Sequence, residues 1–422
     1  MDDKYWFKRI SLISQIFLLC FIFDNFVFSA DWPQFRGPNR DGISSERGLL
    51  KKWPENGPKL IWSFEELGAG FSSPSISNGV VYITARVNKK ETIFAFDISG
   101  NLKWQTTYGS NWKGSYPEVR TSATIDGNNL FVHSGSGEVV CLHAATGKIK
   151  WKVQTIEQFN GEYDRWGIAE SPLIVDNLVV ATPGGQDASI VALDKNTGKK
   201  IWTSKGLSEK SSYCSPILVE FDGKKIIATM LENSFVGVDA ISGRVLWRDG
   251  FNGYQDDPKA INPVSPIYHD GFIYTSSGYD DGGAMYKLLD DGAKISREWV
   301  DETLDIHHGG AVFVDGYIYG TNWKDNRNGN WVCLEWKTGK IMYEKEWITK
   351  GSIIYADGML YCYEEKNGNM ALVSANPNEF KIINSFEVPL GSKQHWAHPA
   401  ISDGRLYIRH GHALMVYDIN TN

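Results

Sequence analysis

The sequence predicts an all-β fold: an eight-bladed β-propeller of four-stranded antiparallel blades, with the last blade closed by an N-terminal strand. Three observations predict it. First, the ending of "AATGKIKW" at Trp151 recurs as "DISGNLKW" at Trp104, "KNTGKKIW" at Trp202 and "AISGRVLW" at Trp247. Second, the unit carrying that ending has a period of ~40–50 residues and holds four short strands, which is the signature of a propeller blade. Third, the two ends of the chain complement each other. The last copy stops at Asn422 before any Trp strand, while "PKLIWSF" at 58–64 is a Trp strand with no unit in front of it. Joining the two closes the ring and removes two sheet edges.

The elements follow in chain order. Residues 1–30 read as a secretory signal: Lys4, Lys8 and Arg9 precede an apolar run from Ile10 to Phe23, and Ser29-Ala30 offers small residues for cleavage. The run is shorter than the ~20 residues of a membrane span. An uncleaved anchor is the alternative, and lipid attachment at Cys20 is disfavoured by Leu19 before it. Residues 31–57 form an N-terminal extension and 58–422 a single propeller domain.

Copy one runs from Ser72 to Trp104, copy two from Arg120 to Trp151, copy three from Glu170 to Trp202 and copy four from Cys214 to Trp247. Copy five starts at Val264 and ends near Trp299. Copy six spans Gly309 to Tyr343, copy seven starts at Gly351 and ends near Phe386, and copy eight starts at Ala397. Asp-Gly and Asn-Gly pairs such as Asp126-Gly127 supply the hairpin turns. Trp62, Trp104, Trp151, Trp202 and Trp247 are assigned a structural role, each ring wedged between neighbouring blades.

The repeat "ALDKNTGKKIW" (192–202) resembles the tryptophan-docking motif of the PQQ-type, or quinoprotein-like, propeller family. The opening "DWPQFRGPNRDG" (31–42) is similar to the start of secreted proteins with this repeat. Members of that family divide into PQQ-dependent alcohol or sugar dehydrogenases and non-catalytic scaffolds, the latter similar to the propeller lipoprotein of the outer-membrane barrel-assembly machinery. The fold alone does not choose between them. For a dehydrogenase the resemblance implies an axial PQQ, a Ca²⁺ on its quinone oxygen, a disulfide between adjacent cysteines and an aspartate base. The sequence has no Cys-Cys pair and lacks the large insertions that enclose such a cofactor. The scattered Cys141, Cys214, Cys333 and Cys362 read as small buried hydrophobes. The acidic turns "GYDDGG" (278–283), "YQDDP" (254–258) and "KDNRNGN" (324–330) carry Ca²⁺-type donors but also the composition of plain hairpin turns.

The axial mouth, where the loops leading into the inner strands converge, is the expected ligand site. Aligning the copies places Arg120 and Glu170 at one position on adjacent blades, where they could pair across the channel. The next position reads Ser73, Thr121, Ser171, Ser215, Ser265, Gly310, Ser352 and His398, a ring rich in hydroxyls. His307, His308, His395 and His398 fall near the same mouth, either as channel-lining hydrogen-bonders or as metal ligands; no metal site is assigned. Trp112, Trp166, Tyr213, Tyr254 and Trp396 crowd these loops and would stack on a sugar ring, bind a peptide or pack between blades. The ligand-binding candidates are therefore Arg120, Glu170, Trp166, His307, His308, His395, Trp396 and His398.

A net charge of −7 without a basic block speaks against nucleic acid. The sequence thus points to a secreted, periplasmic propeller acting as a non-catalytic binding or scaffold protein of the cell envelope. It would be monomeric, cofactor-free and partnered by an envelope protein or glycan. The alternatives are a PQQ-dependent dehydrogenase using PQQ and Ca²⁺, and a carbohydrate-binding accessory propeller.

Overall fold

The computed structural model describes residues 31–251 and 261–421. The proposed signal segment, Tyr254 and the "YQDDP" turn lie outside these. Among the described residues eight sheets occur, each built on four antiparallel strands that are consecutive in the chain in blades one to seven, and they match the eight sequence copies. Blade one spans residues 75–110 and blade seven residues 351–387, with the others evenly placed between and after them. In blade eight Lys59–Phe64 forms the outermost strand, pairing antiparallel with Ala413–Asp418. The ring therefore closes by the N-terminal strand, as the orphan Trp strand predicts. At this junction the fully buried Arg409 donates from Nη1 to Ser72 Oγ at 2.6 Å and from Nε to Gly411 O at 2.9 Å, tying blade eight to blade one. Among the described residues no helix is long and apolar enough to cross a membrane.

The recurring Gly-to-Trp ending has a geometric explanation. Four of the five tryptophans lie on the glycine turn of the following blade, Trp62 on Gly100, Trp104 on Gly147, Trp151 on Gly198 and Trp202 on Gly243, whereas Trp247 lies against Gly237 of its own blade. Three of the indoles also donate to a carbonyl of the following blade, Trp62 to Ile98 at 3.0 Å, Trp151 to Lys195 at 3.0 Å and Trp202 to Ala240 at 3.1 Å. The glycine serves twice. Its backbone is left-handed, φ +71° at Gly198, and a methyl there would sit 2.8 Å from Trp151 Cε3. Gly198→Ala is expected to cost about 1–3 kcal/mol through the left-handed backbone alone. The clash with Trp151 adds to that, and chemical denaturation read against wild type would measure the sum.

The N-terminal extension holds the largest departure from expectation. It is a strap laid across the axial channel. Trp32 exchanges backbone hydrogen bonds with Ile76 of blade one, and Pro33 O accepts from Ile125 N of blade two. Arg40 is 2 % exposed and donates to Ser171 O at 2.9 Å and Pro216 O at 3.1 Å, with a further bond to Pro172 O, in blades three and four. Arg36 reaches the other side: Nη1 lies 3.1 Å from His398 Nδ1 and Nη2 donates to Ala311 O. Ile43–Ser44 then pairs in parallel with the inner strand of blade seven, giving that sheet a fifth strand. The physical reason is the set of inner-strand carbonyls facing the axis. Two multi-donor guanidinium groups satisfy such carbonyls from several blades together.

Candidate functional site

With one side of the channel strapped, the other opens as an axial cavity of about 880 Å³. Phe35 from the strap lines it, and so do residues that immediately precede the inner strands, among them Phe71, Arg120, Ala169, Tyr213, His308 and Trp396. This set corrects the repeat alignment in blade two by one residue. Ser122, not Thr121, is the equivalent of Ser73 and Ser171. The proof is a chain of hydrogen bonds around the axis, in which His398 N donates to Ser73 Oγ at 3.0 Å, Ser73 N to Ser122 Oγ, Ser122 N to Ser171 Oγ and Ser171 N to Ser215 Oγ, the last three at 2.9 Å. The hydroxyl ring is thus real but faces its neighbours, and it locks the blades in register.

The same shift separates Arg120 from Glu170, and the expected ion pair between them does not form. Glu170 is 1 % exposed and lies one position deeper than Arg120. Its carboxylate accepts from Thr182 N at 2.7 Å and lies 3.1 Å from His133 Nδ1. Arg120 stays at the mouth and donates from Nη2 to Trp166 O, which holds that loop in place. Behind it, Glu91 accepts from Tyr108 Oη and Gly135 N, both at 2.8 Å.

The histidines divide. His307 and His308 line the cavity, their rings 4.3 Å apart. His307 Nε2 is 3.0 Å from Tyr279 Oη, and His308 Nε2 is 3.3 Å from Glu365 Oε2. His398 also lines it, with Nε2 on His308 O at 2.9 Å. His395 does not: it stacks on His410 at 3.6 Å and meets Tyr363 Oη at 2.6 Å, away from the mouth. Burial holds His307 and His398 down at about 3, so both are neutral at any ordinary pH. Trp396 packs at tilted angles against Phe71, Tyr116 and His308, and Trp166 against Tyr213. Trp112 instead faces Tyr163 outside this cavity. Tyr116, Tyr279 and Phe35 are mouth residues that sequence reasoning missed. The loops carrying the first two vary too much between copies to align, and nothing in the repeat marks the strap.

PQQ and Ca²⁺ would need free carboxylate donors at the mouth. Of the carboxylates, Glu365 lines the cavity, and its Oε1 is already 2.7 Å from Lys350 Nζ. Among the described residues no three His, Cys, Asp or Glu side chains are grouped to hold a metal. The acidic turn at 324–330 spends Asp325 on the backbone N–H groups of Arg327 and Asn328, as a hairpin turn does. Cys141, Cys214, Cys333 and Cys362 are all buried and free, and Cys214 beside the channel has its thiol pushed up to about 11 by burial. These side chains do not fit a Ca²⁺-bound quinone flanked by a disulfide.

Comparison with known proteins places the chain. A family model described as outer membrane protein assembly factor BamB matches residues 89–345. The chain belongs to that family. BamB of Yersinia pestis is 24 % identical over 268 residues, covering 62 % of this chain and 62 % of that protein. A polyvinylalcohol dehydrogenase of a Pseudomonas species is 25 % identical, covering 50 % of this chain and 34 % of the dehydrogenase. The match thus spans less than two thirds of either relative. Among solved structures, BamB from Moraxella catarrhalis superposes with a TM-score of 0.63 at 14 % identity, covering 86 % of this chain and 98 % of that one. Quinohemoprotein alcohol dehydrogenase from Comamonas testosteroni gives 0.69 at 14 % identity, with 93 % and 81 % covered. At that identity the likeness establishes the propeller alone.

One pH dependence arises here. Burial raises the Glu91 carboxyl to about 7 in the folded protein, against 4.5 for a free side chain. A raised folded value means the proton stabilises the fold. The contribution is complete below about pH 4.5 and is lost as pH rises through about 7. Glu91→Gln is expected to flatten that part of the stability–pH curve, which unfolding midpoints across the window would show.

Proposed function

We propose that this chain is a non-catalytic binding propeller of the cell envelope, secreted by its N-terminal segment, with the axial mouth as its ligand-taking surface. The observation that carries the reading is the chemistry of the mouth. It offers tilted aromatic rings, neutral imidazoles and cations in a dead-end cavity, and its carboxylate Glu365 is held by Lys350. Such a set binds and orients a ligand, while its imidazoles, His307 and His398 held at about 3, are weak bases for proton abstraction. Membership of the BamB family supports an envelope setting and a scaffolding relationship to an envelope protein.

The PQQ-dependent dehydrogenase is the second reading. The dehydrogenases among the relatives favour it, and so does the positive mouth, which suits an acidic quinone. The two readings separate by turnover. The chain from Asp31 onward would be incubated with PQQ and either Ca²⁺ or a lanthanide, and dye reduction followed with alcohols, sugars and poly(vinyl alcohol). The binding reading predicts no rate above cofactor alone. A rate saturating in substrate would overturn it.

A further inference from the structure

The charge at the mouth runs against the charge of the chain. The protein is −7 overall, yet Arg120, Arg327, Lys366 and Lys393 line the cavity against Glu365. Glu365 is paired with Lys350 at 2.7 Å, and Lys393 stands 3.6 Å from Glu118. Arg120 is used to hold the Trp166 carbonyl. The side chains of Arg327 and Lys366 are exposed and form no ion pair with a carboxylate among the described residues, although their backbone N–H groups donate to Asp325 and Glu364. Two free cations at the rim of a cavity focus the field on an incoming anion.

The shape of the aromatic wall narrows the ligand class. Trp396 is inclined by 52° to Phe71, 48° to Tyr116 and 61° to His308, and Trp166 by 46° to Tyr213. In none of these four contacts is a ring parallel to its neighbour, so no touching pair forms a flat stack that a planar heterocycle would extend. A curved wall of tilted rings instead follows the puckered C–H faces of a pyranose. The volume of about 880 Å³ lies in the range of ~300–1,000 Å³ usual for small-ligand sites. The floor, with Phe35 of the strap, stops a threaded chain, so the site accepts an end.

We infer that the axial mouth binds the end of a short acidic saccharide, a sugar acid whose carboxylate meets Arg327 and Lys366 and whose ring lies on Trp396 and Tyr116. This rests on the non-catalytic reading above and names its ligand class. The test is calorimetric titration of the chain from Asp31 onward with a hexuronate oligosaccharide, a neutral oligosaccharide of equal length and an oligoglutamate of equal charge. The sugar acid is expected to bind at least about tenfold more tightly than either control, and more weakly as salt is raised. Arg327→Glu with Lys366→Glu should weaken it about tenfold or more. Tyr116→Asn should weaken it too; this ring is 45 % exposed, and Asn tolerates the +53° φ at that site. Thermal midpoints of the variants, expected to match wild type, show that they fold. Flotation with vesicles carrying a glucuronosyl lipid separates the sources: binding there as well as in solution means the sugar is taken from glycolipid too, and binding in solution alone means soluble chains. Equal binding of the neutral sugar or of oligoglutamate would overturn the inference, as would no binding of the sugar acid. Cofactor-dependent turnover would instead overturn the underlying reading, so the two failures are distinguishable.

Discussion

Replacing Arg40 with alanine is expected to lower the free energy of unfolding by about 3 kcal/mol or more. The guanidinium sits in the middle of the strap and satisfies the carbonyls of Ser171, Pro172 and Pro216 as well as Gln34 Oε1. Removing it takes the guanidinium donor from the Ser171 and Pro216 carbonyls, at about 1–3 kcal/mol each and less where water enters the gap, while the Pro172 carbonyl keeps Thr124 Oγ1 at 2.7 Å. Burial has lowered the arginine only to about 10, so the lost group is a cation at neutral pH. Arg40→Lys is expected to recover only part of the loss, since one ammonium cannot serve carbonyls spread over two blades. Urea midpoints and m-values for the variants would measure both. A strap that merely decorates the ring would show a loss within about 0.5 kcal/mol, as surface substitutions do.

Trp202→Ala is the second large effect, expected at about 3–5 kcal/mol. The ring is 7 % exposed, rests on Gly243 and donates to Ala240 O at 3.1 Å. Truncation removes a buried aromatic, opens a cavity between blades three and four, and leaves that carbonyl unpaired. Blade contacts are between nearest neighbours, so the damage should be local first. Hydrogen exchange would show protection falling in blades three and four before the rest. Trp202→Phe should retain most of the packing and lose only the indole donor.

The two variants probe features of very different legibility. The wedge at Trp202 is readable because the same contact is made many times, and repetition writes the Gly-to-Trp spacing into the chain at Trp104, Trp151 and Trp247. Ring closure is readable for the same reason: Trp62 is a copy of the motif displaced to the other end. Arg40 is made once. Its partners are backbone carbonyls brought together only when the ring is complete, and a carbonyl leaves no side-chain signature. The candidate site falls between these cases. Arg120, Trp166, His307, His308, Trp396 and His398 were placed at the mouth by their position ahead of inner strands, and the cavity holds all six. Glu170 and His395 were placed there by the same alignment and lie elsewhere. For Glu170, a one-residue shift in blade two moved its supposed partner Arg120 to a different level of the channel. For His395, stacking on His410 turns the ring away, a contact between residues 395 and 410 that no motif announces.

The mouth is proposed as a metal-independent binding site for an anionic ligand. It is tested most directly by titrating PQQ into the chain from Asp31 onward, with and without excess chelator, following tryptophan fluorescence. A mouth of rings and cations without a free carboxylate set predicts that whatever PQQ affinity exists is unchanged by chelator, Ca²⁺ or lanthanide, and falls as salt is raised. Binding that tightens tenfold or more on adding the metal would show a ligand set for it and would make the axial mouth a quinoprotein active site.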